Sequence, residues 1–91
     1  MANVRYRKKP VVIEAVKFTG INDKQIETFT GPGIVWRPAV GNTDALMVNT
    51  LEGSLQAAPG DWIIRGVKGE FYPCKPDVFA ATYEPALEVA S

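Results

Sequence analysis

The stretch from residue 58 to residue 83 constrains the fold of this chain more than any other part. Its sequence, APGDWIIRGVKGEFYPCKPDVFAATY, alternates turn-forming residues with short apolar runs. The Pro-Gly pair at 59–60 favours a type II turn, because proline fixes φ and glycine accepts a positive φ. A strand is then expected over residues 61–65 and a return strand over residues 70–72, joined by the glycine-bounded reversal 66–69. This stretch therefore predicts a tight β-hairpin.

The predicted strand 61–65 has two different faces. Period two places Trp62 and Ile64 on one face and the other three residues on the opposite face, which is amphipathic. Core packing is the favoured role of Trp62, and also of Phe71 in the return strand. We therefore expect the Trp62 face to be the more buried one.

Prolines limit the return strand and begin the next element. Pro73 cannot donate to a β-ladder, so we expect it to end the strand. Pro76 suits the first position of a helix, and Asp77 suits the positive end of the helix dipole. One stripe of this two-turn helix is predicted to carry Val78, Phe79 and Thr82.

The first third of the chain predicts a strand and a short helix. The run VVIEAVKF at residues 11–18 carries one charge on each face, which is typical of a central strand covered on both sides. The helix is expected to begin at Asn22 as N-cap, with Ile21 and Ile26 forming a hydrophobic staple. Gly31 is expected to end it in the left-handed conformation.

These elements indicate an α+β protein. Five to seven short strands with two short helices predict a small, strongly bent antiparallel sheet or an open barrel. We assign residues 1–85 to a single domain and residues 86–91 to a C-terminal tail. The remaining predicted strands are residues 34–37, the hairpin pair 45–50 and 54–58, and a final short strand at 82–84.

The composition bounds the function mainly through what it lacks. The 91 residues include no histidine, and ten basic residues balance ten acidic ones. Histidine is the usual proton carrier near neutral pH and the commonest transition-metal ligand. The acidic residues form no D-x-D or E-x-x-E pair, so we expect no enzyme activity, no metal site and no cofactor. The single Cys74 has no visible base to activate it, and a small buried residue is the favoured interpretation.

The location and the assembly state also follow from general features. No long apolar run and no signal peptide are visible, which predicts a cytoplasmic protein with no membrane contact. A chain of this size buries a small core, so we expect a homo-oligomer whose interface uses a sheet edge or the C-terminal tail.

Arg5 and Arg7 would lie on one side of a basic N-terminal strand. Such a strand either binds an anionic ligand or only protects a sheet edge.

Three segments of the chain carry a family pattern. They are RYRKKPVVIEAVKF at residues 5–18, TLEG at residues 50–53 and PGDWIIRGVKGEFYPCKPDVF at residues 59–79. The pattern resembles a small protein family that tailed bacteriophages and prophages encode, whose members are mostly hypothetical proteins. The resemblance implies a phage origin and a place in the host bacterial cytoplasm.

A small, non-catalytic phage protein is expected to act by binding. Phages encode compact oligomeric sponges that sequester cyclic nucleotides of host defence, and the chain is similar to them in size and character. We therefore expect it to sequester a nucleotide-derived second messenger, a small anionic ligand. Single-stranded nucleic acid is an alternative that the balanced charge disfavours. The other alternative is a host or phage protein bound through an exposed sheet edge.

A nucleotide site needs cations for phosphates and planar groups for bases. The hairpin charges are otherwise ordinary exposed residues, so the ligand role and the surface role both stay open for them. The candidate ligand-binding residues are Trp36, Arg37, Arg65, Lys68, Tyr72 and Lys75, together with Arg5 and Arg7.

Overall fold

The computed structural model describes residues 11–41 and 43–86. It contains two helices and six strands. The strands form two three-stranded antiparallel sheets, with strand orders β1-β5-β6 and β2-β3-β4. This confirms the predicted α+β class with two short helices, and in the described residues the strands form open sheets, not a closed barrel. The predicted basic strand with Arg5 and Arg7, and most of the predicted tail, lie outside the described residues. The elements are β1 (Glu14–Lys17), α1 (Asp23–Thr30), β2 (Val35–Trp36), β3 (Leu46–Thr50), β4 (Gly53–Ala57), β5 (Trp62–Arg65), β6 (Phe71–Cys74) and α2 (Pro76–Thr82).

One core lies between the two sheets and α1. It takes apolar residues from both sheets and from the helix, so the sheets share a single buried centre. Among the described residues no helix is both long and apolar enough to span a bilayer. The fully or almost fully buried members of the core are Phe18, Ile26, Leu46, Val48, Ala57, Ile63 and Phe71.

The central strand of the first sheet is β5, between β1 and β6. Ile63 and Ile64 point to opposite faces, and both are 0% exposed, so both faces of this sheet are covered. The prediction that residues 11–18 form the central strand was wrong in two respects. The strand is confined to Glu14–Lys17, and it lies at the edge of the sheet in the described part of the chain.

The β5–β6 hairpin uses its two glycines differently. Gly69 has φ 79°, the left-handed region that disfavours other residues. Gly66 donates its N–H to the carbonyl of Glu70 at 2.7 Å. The Glu70 carboxylate lies where a side chain at position 66 would have to stand. The return strand was predicted to end at Pro73, but β6 continues through it to Cys74. Proline is tolerated there because β6 is an edge strand and needs no N–H donor on its free side.

The second hairpin, β3–β4, forms as predicted with slightly different bounds. Thr50 pairs with Gly53, and Gly53 has φ 111°. In β3, Leu46 and Val48 are buried whereas Asn49 is exposed, and in β4 only Ala57 is buried. One face of the second sheet therefore packs on the core and the other is open.

Helix α1 begins after Asn22, as predicted, but by a different mechanism. The Asn22 Oδ1 atom accepts the N–H of Thr19 at 2.8 Å and its Nδ2 atom donates to Gln25 Oε1 at 2.8 Å, but the side chain makes no capping bond to a backbone N–H of the helix. The predicted staple is absent, since Ile21 is 92% exposed while Ile26 is fully buried. Gly31 ends the helix with φ 86° and ψ 174°, which is an extended glycine conformation and not the predicted left-handed one.

Helix α2 starts at Pro76, as predicted. It continues to Thr82, and the N–H of Tyr83 still donates to the carbonyl of Phe79 at 2.9 Å. The predicted final strand at residues 82–84 was therefore wrong. Val78 is 53% exposed and does not belong to the packing stripe. The helix instead packs through Phe79, whose ring stacks on Trp62.

Candidate functional site

An open groove lies between the segment before β1 and helix α2. Its volume is about 1040 Å³. One wall is formed by apolar side chains of residues 11–13 and Ala15, and the opposite wall carries the aromatic rings of Phe79 and Tyr83, with Trp62 between them. Among the lining residues in the described chain, Glu84 is the one with a charged side chain at neutral pH. We call this cavity the aromatic groove.

The β1–β5 register creates the base of the aromatic groove. Ala15 lies opposite Ile64, and Lys17 lies opposite Trp62. Because alternate residues of a strand point the same way, these four side chains share one face of the sheet. Helix α2 lies over that face, with the Trp62 and Phe79 rings stacked at a centroid distance of 4.3 Å and an angle of 8°. The small Ala15 leaves the space that the groove occupies.

Tyr72 supports the aromatic wall from beneath. It lies opposite Ile64 in the β5–β6 register, and its hydroxyl is 3.4 Å from that of Tyr83. Burial, followed by the hydrogen bond with Tyr83, raises the pKa of Tyr72 to about 12. Tyr72 is thus neutral at physiological pH, and it positions Tyr83 at the groove.

Arg37 is held by four hydrogen bonds inside the protein. Its Nε and Nη2 atoms donate to the two carboxylate oxygens of Asp23, both at 2.6 Å. Further donations reach the carbonyls of Gly20 and Thr43, and the guanidinium lies 5.2 Å above the ring centre of Phe18. Hydrogen bonding to Arg37 lowers the pKa of Asp23. This arginine joins the start of α1 to the loop between β2 and β3.

Arg65 forms a similar but smaller set of contacts. It donates to Glu14 at 3.0 Å and to the carbonyl of Phe29 at 2.8 Å. Its guanidinium lies 5.1 Å from the ring centre of Phe29 and 5.3 Å from that of Phe71. The sheet face with Ile63 and Arg65, predicted to be the amphipathic one, is thus a core face closed by an arginine.

Lys75 neutralises the buried carboxylate of Asp61. The Lys75 Nζ atom lies 2.9 Å from Asp61 Oδ2, and the Asp61 side chain is only 4% exposed. The same oxygen accepts the N–H of Ala58 at 2.8 Å, which fixes the turn before β5. Lys75 therefore contributes to the hairpin entry, with its own side chain 62% exposed.

The two remaining candidates lie apart from the groove. Lys68 is exposed in the β5–β6 turn. Trp36 lies on the open face of the second sheet, 46% exposed, and donates its indole N–H to Asn49 Oδ1 at 3.1 Å. The predicted cations Arg37, Arg65 and Lys75 thus pair with three different acidic residues. Of the eight predicted residues, Tyr72 is the one that the described structure connects to the aromatic groove.

The sequence analysis missed the residues that define the groove. Trp62 was expected in the core, yet it is half-buried and lines the cavity. The spacing of Phe79 and Tyr83, four residues apart, is a recognisable signal, since such residues share one side of a helix. Lys17 does not line the groove, and its position opposite Trp62 carried no sequence signal because it depends on the β1–β5 register.

In the described residues, neither Cys74 nor the acidic side chains provide a further candidate site. Burial, with smaller effects from Asp61 and Asp77, raises the pKa of the Cys74 thiol, so the reactive thiolate is disfavoured. Within residues 11–41 and 43–86, no cluster of three acidic or cysteine side chains could hold a metal ion. No protein-family model, curated protein or solved structure matches the chain.

Proposed function

We propose that this protein is a non-enzymatic binding protein and that the aromatic groove is its binding surface. The observation that carries the proposal is a cavity of about 1040 Å³ walled by aromatic rings. A cavity of this size lies at the upper end of the range of small-molecule sites. The ligand that we propose is a nucleotide-derived second messenger of host anti-phage defence, sequestered without cleavage.

Stacking supports a ligand with flat rings. A base can lie against the aromatic wall of α2, and such base–aromatic contacts contribute about 1 to 3 kcal/mol each. The Trp62–Phe79 stack is already formed, so the wall is rigid before a ligand arrives. Pre-organisation of this kind lowers the entropic cost of binding.

The phosphates of such a ligand require cations. Lys17 is exposed and lies opposite Trp62 in the β1–β5 register. In the sequence, Arg5 and Arg7 come shortly before Val11, a residue that lines the groove. We therefore propose that Lys17 contacts a phosphate, while Arg5 and Arg7, which lie outside the described residues, keep the ligand role that the sequence predicted for them. Arg37, Arg65 and Lys75 are left to the internal ion pairs described above.

The phage resemblance supports the biological side of the proposal. The motif at residues 59–79 forms β5, β6 and the first half of α2, so the family pattern falls on elements that build one side of the groove. A phage-encoded sponge acts in the host bacterial cytoplasm and needs no catalytic group. The proposed ligand occurs in the same compartment.

A second candidate is an apolar protein segment. The observation in its favour is the lining itself, which in the described residues is apolar or aromatic apart from Glu84. A host or phage protein could insert leucine or aromatic side chains there without phosphate neutralisation. The two candidates differ in their dependence on Lys17.

A thermal-shift panel tests the nucleotide candidate. It contains cyclic di- and trinucleotides, ADP-ribose derivatives and short single-stranded oligonucleotides. A ligand at a hundred times its Kd stabilises the folded state by about 2.7 kcal/mol. We expect a shift with one cyclic nucleotide and recovery of that nucleotide unchanged after heating. A shift with oligonucleotides alone favours nucleic acid, and a cleaved product contradicts a non-enzymatic role.

Two neighbouring alanines of α2 provide a matched pair of variants. Both are exposed, but Ala80 lines the groove and Ala81 does not. Ala80→Trp should fill the cavity and abolish the shift, whereas Ala81→Trp should preserve it. Lys17→Ala should weaken a nucleotide and leave an apolar peptide unaffected. Equal binding by both tryptophan variants would exclude the groove as the site.

A further inference from the structure

The edge strands of the two sheets differ in how they are protected. In the described chain the edges are β1 and β6 in one sheet and β2 and β4 in the other. Unpaired strand edges invite association, and proteins usually protect them with charges, prolines or short length. β1 carries Glu14 and Lys17, β6 contains Pro73, and β2 has only two residues.

Strand β4 has none of these protections. Its five residues, GSLQA, include no charge and no proline. Four of them, residues 53–56, are exposed. β4 is also as long as any other described strand. A long, uncharged and accessible edge is the arrangement that permits β-strand addition.

Leu55 indicates what covers this edge. It lies opposite Val48 in the β3–β4 register and so points to the core face, together with Ala57. Val48 and Ala57 are 0% exposed, but Leu55 is 42% exposed. The core face is therefore incomplete at the free side of β4, at an apolar residue. A second copy of the chain would bring an identical leucine to this position.

We propose that β4 pairs with β4 of a second copy, antiparallel about a two-fold axis beside Leu55. The two sheets then join into one six-stranded sheet, and the two Leu55 side chains extend the shared core face. In this register Ser54 lies opposite Gln56 of the other copy, on the open face of the sheet. No charge opposes a like charge across the pair, so the edge is complementary to itself. The proposal does not depend on the ligand of the aromatic groove.

The register allows a charge test with a matched control. Ser54→Lys combined with Gln56→Lys places like charges opposite each other twice, and should raise the dimer Kd about tenfold or more. Ser54→Asp combined with Gln56→Lys places opposite charges at the same positions and should leave the Kd within about threefold of the wild-type value. Both variants lose the same Ser54 hydrogen bond to Asn49, so their difference reports the interface.

Sedimentation equilibrium on the full chain gives the result. We expect the wild type and the Asp/Lys variant at twice the 9.9 kDa mass of one chain, and the Lys/Lys variant dissociating at the same concentration. A monomeric wild type, or equal Kd values for the two variants, overturns the proposal. If both variants unfold, hydrogen exchange of the wild type decides. Protection of residues 53–57 must then fall on dilution, and unchanged protection refutes the β4 dimer.

Discussion

The two sheets of this protein share one core but differ in their second faces. The β1-β5-β6 sheet is covered on both sides, and Ile63 and Ile64 are each 0% exposed on opposite faces. In the β2-β3-β4 sheet, the buried residues Leu46 and Val48 of β3 alternate with half-buried or exposed ones and β4 is exposed except at Ala57, so one side stays open. A continuous apolar run is typical of a strand covered on both faces, and alternation is typical of one covered face. The proposed functional groove lies on the covered sheet, because α2 covers the second face without filling the space above Ala15.

The largest expected effect compares one residue from the second face of each sheet. Ile64→Ala removes a fully buried side chain and should destabilise the protein by about 2 to 5 kcal/mol. Met47 lies on the open face of the other sheet and is only half-buried, so Met47→Ala should cost less than about 1.5 kcal/mol. Urea denaturation at pH 7 measures both. Equal losses would contradict the difference in coverage.

The next effect compares the two arginines that lie against the core. Arg37 makes four hydrogen bonds and Arg65 makes two. Arg37→Lys cannot reproduce the bidentate pair with Asp23 and should cost about 1 to 3 kcal/mol at pH 7. Arg65→Lys should cost less, because its partner Glu14 is 67% exposed. Denaturant melts that rank the two in the opposite order would contradict this account.

The Arg37 effect has a defined pH dependence. The pKa of Asp23 is lowered in the folded state from its ordinary value of 3.8. The stabilisation is therefore present above that value and is lost as pH falls through the lower pKa of the folded state. The difference between wild type and Arg37→Lys should shrink in acid. Asp23→Asn should also destabilise the protein at pH 7, and adding Arg37→Lys to it should cost less than Arg37→Lys alone, because the ion pair is already lost and only the bonds to the carbonyls of Gly20 and Thr43 are still affected.

The smallest expected difference between the two sheets concerns their hairpin turns. Gly69 in the covered sheet and Gly53 in the open sheet both have positive φ, and both have open space where a Cβ would stand. Gly69→Val and Gly53→Val should each cost about 1 to 3 kcal/mol through backbone strain alone. Lys68→Ala, in the same turn as Gly69, should stay within about 0.5 kcal/mol. Thermal melts in which Gly69→Val is as harmless as Lys68→Ala would contradict the turn assignment.

The sequence predicted local structure well where turn residues are strong. The two hairpins, the start of α2 at Pro76 and the α+β class all follow from proline, glycine and alternation. The predicted staple failed because Ile21 stays 92% exposed, and the predicted strand at residues 82–84 failed because α2 continues to Thr82. In the second case the packing of Phe79 and Tyr83 on the sheet kept the chain helical.

The site was harder to predict than the fold. Arg37, Arg65 and Lys75 have the side chains that a nucleotide site requires, but their partners Asp23, Glu14 and Asp61 are distant in sequence. A single sequence gives no means of pairing such charges. The groove depends likewise on the register that sets Ala15 and Lys17 beside β5. The spacing of Phe79 and Tyr83 was the signal that the sequence did offer.

The two tryptophans test the central claim directly, because one lies on each sheet. Trp62 lines the aromatic groove, and Trp36 lies on the open face of the other sheet. The measurement is a titration of the ¹⁵N-labelled protein with the nucleotide that gives the largest thermal shift, following the two indole N–H signals. We predict that the Trp62 signal moves with the ligand while the Trp36 signal stays in place. Movement of the Trp36 signal alone would place binding on the open sheet and contradict the assignment of the groove.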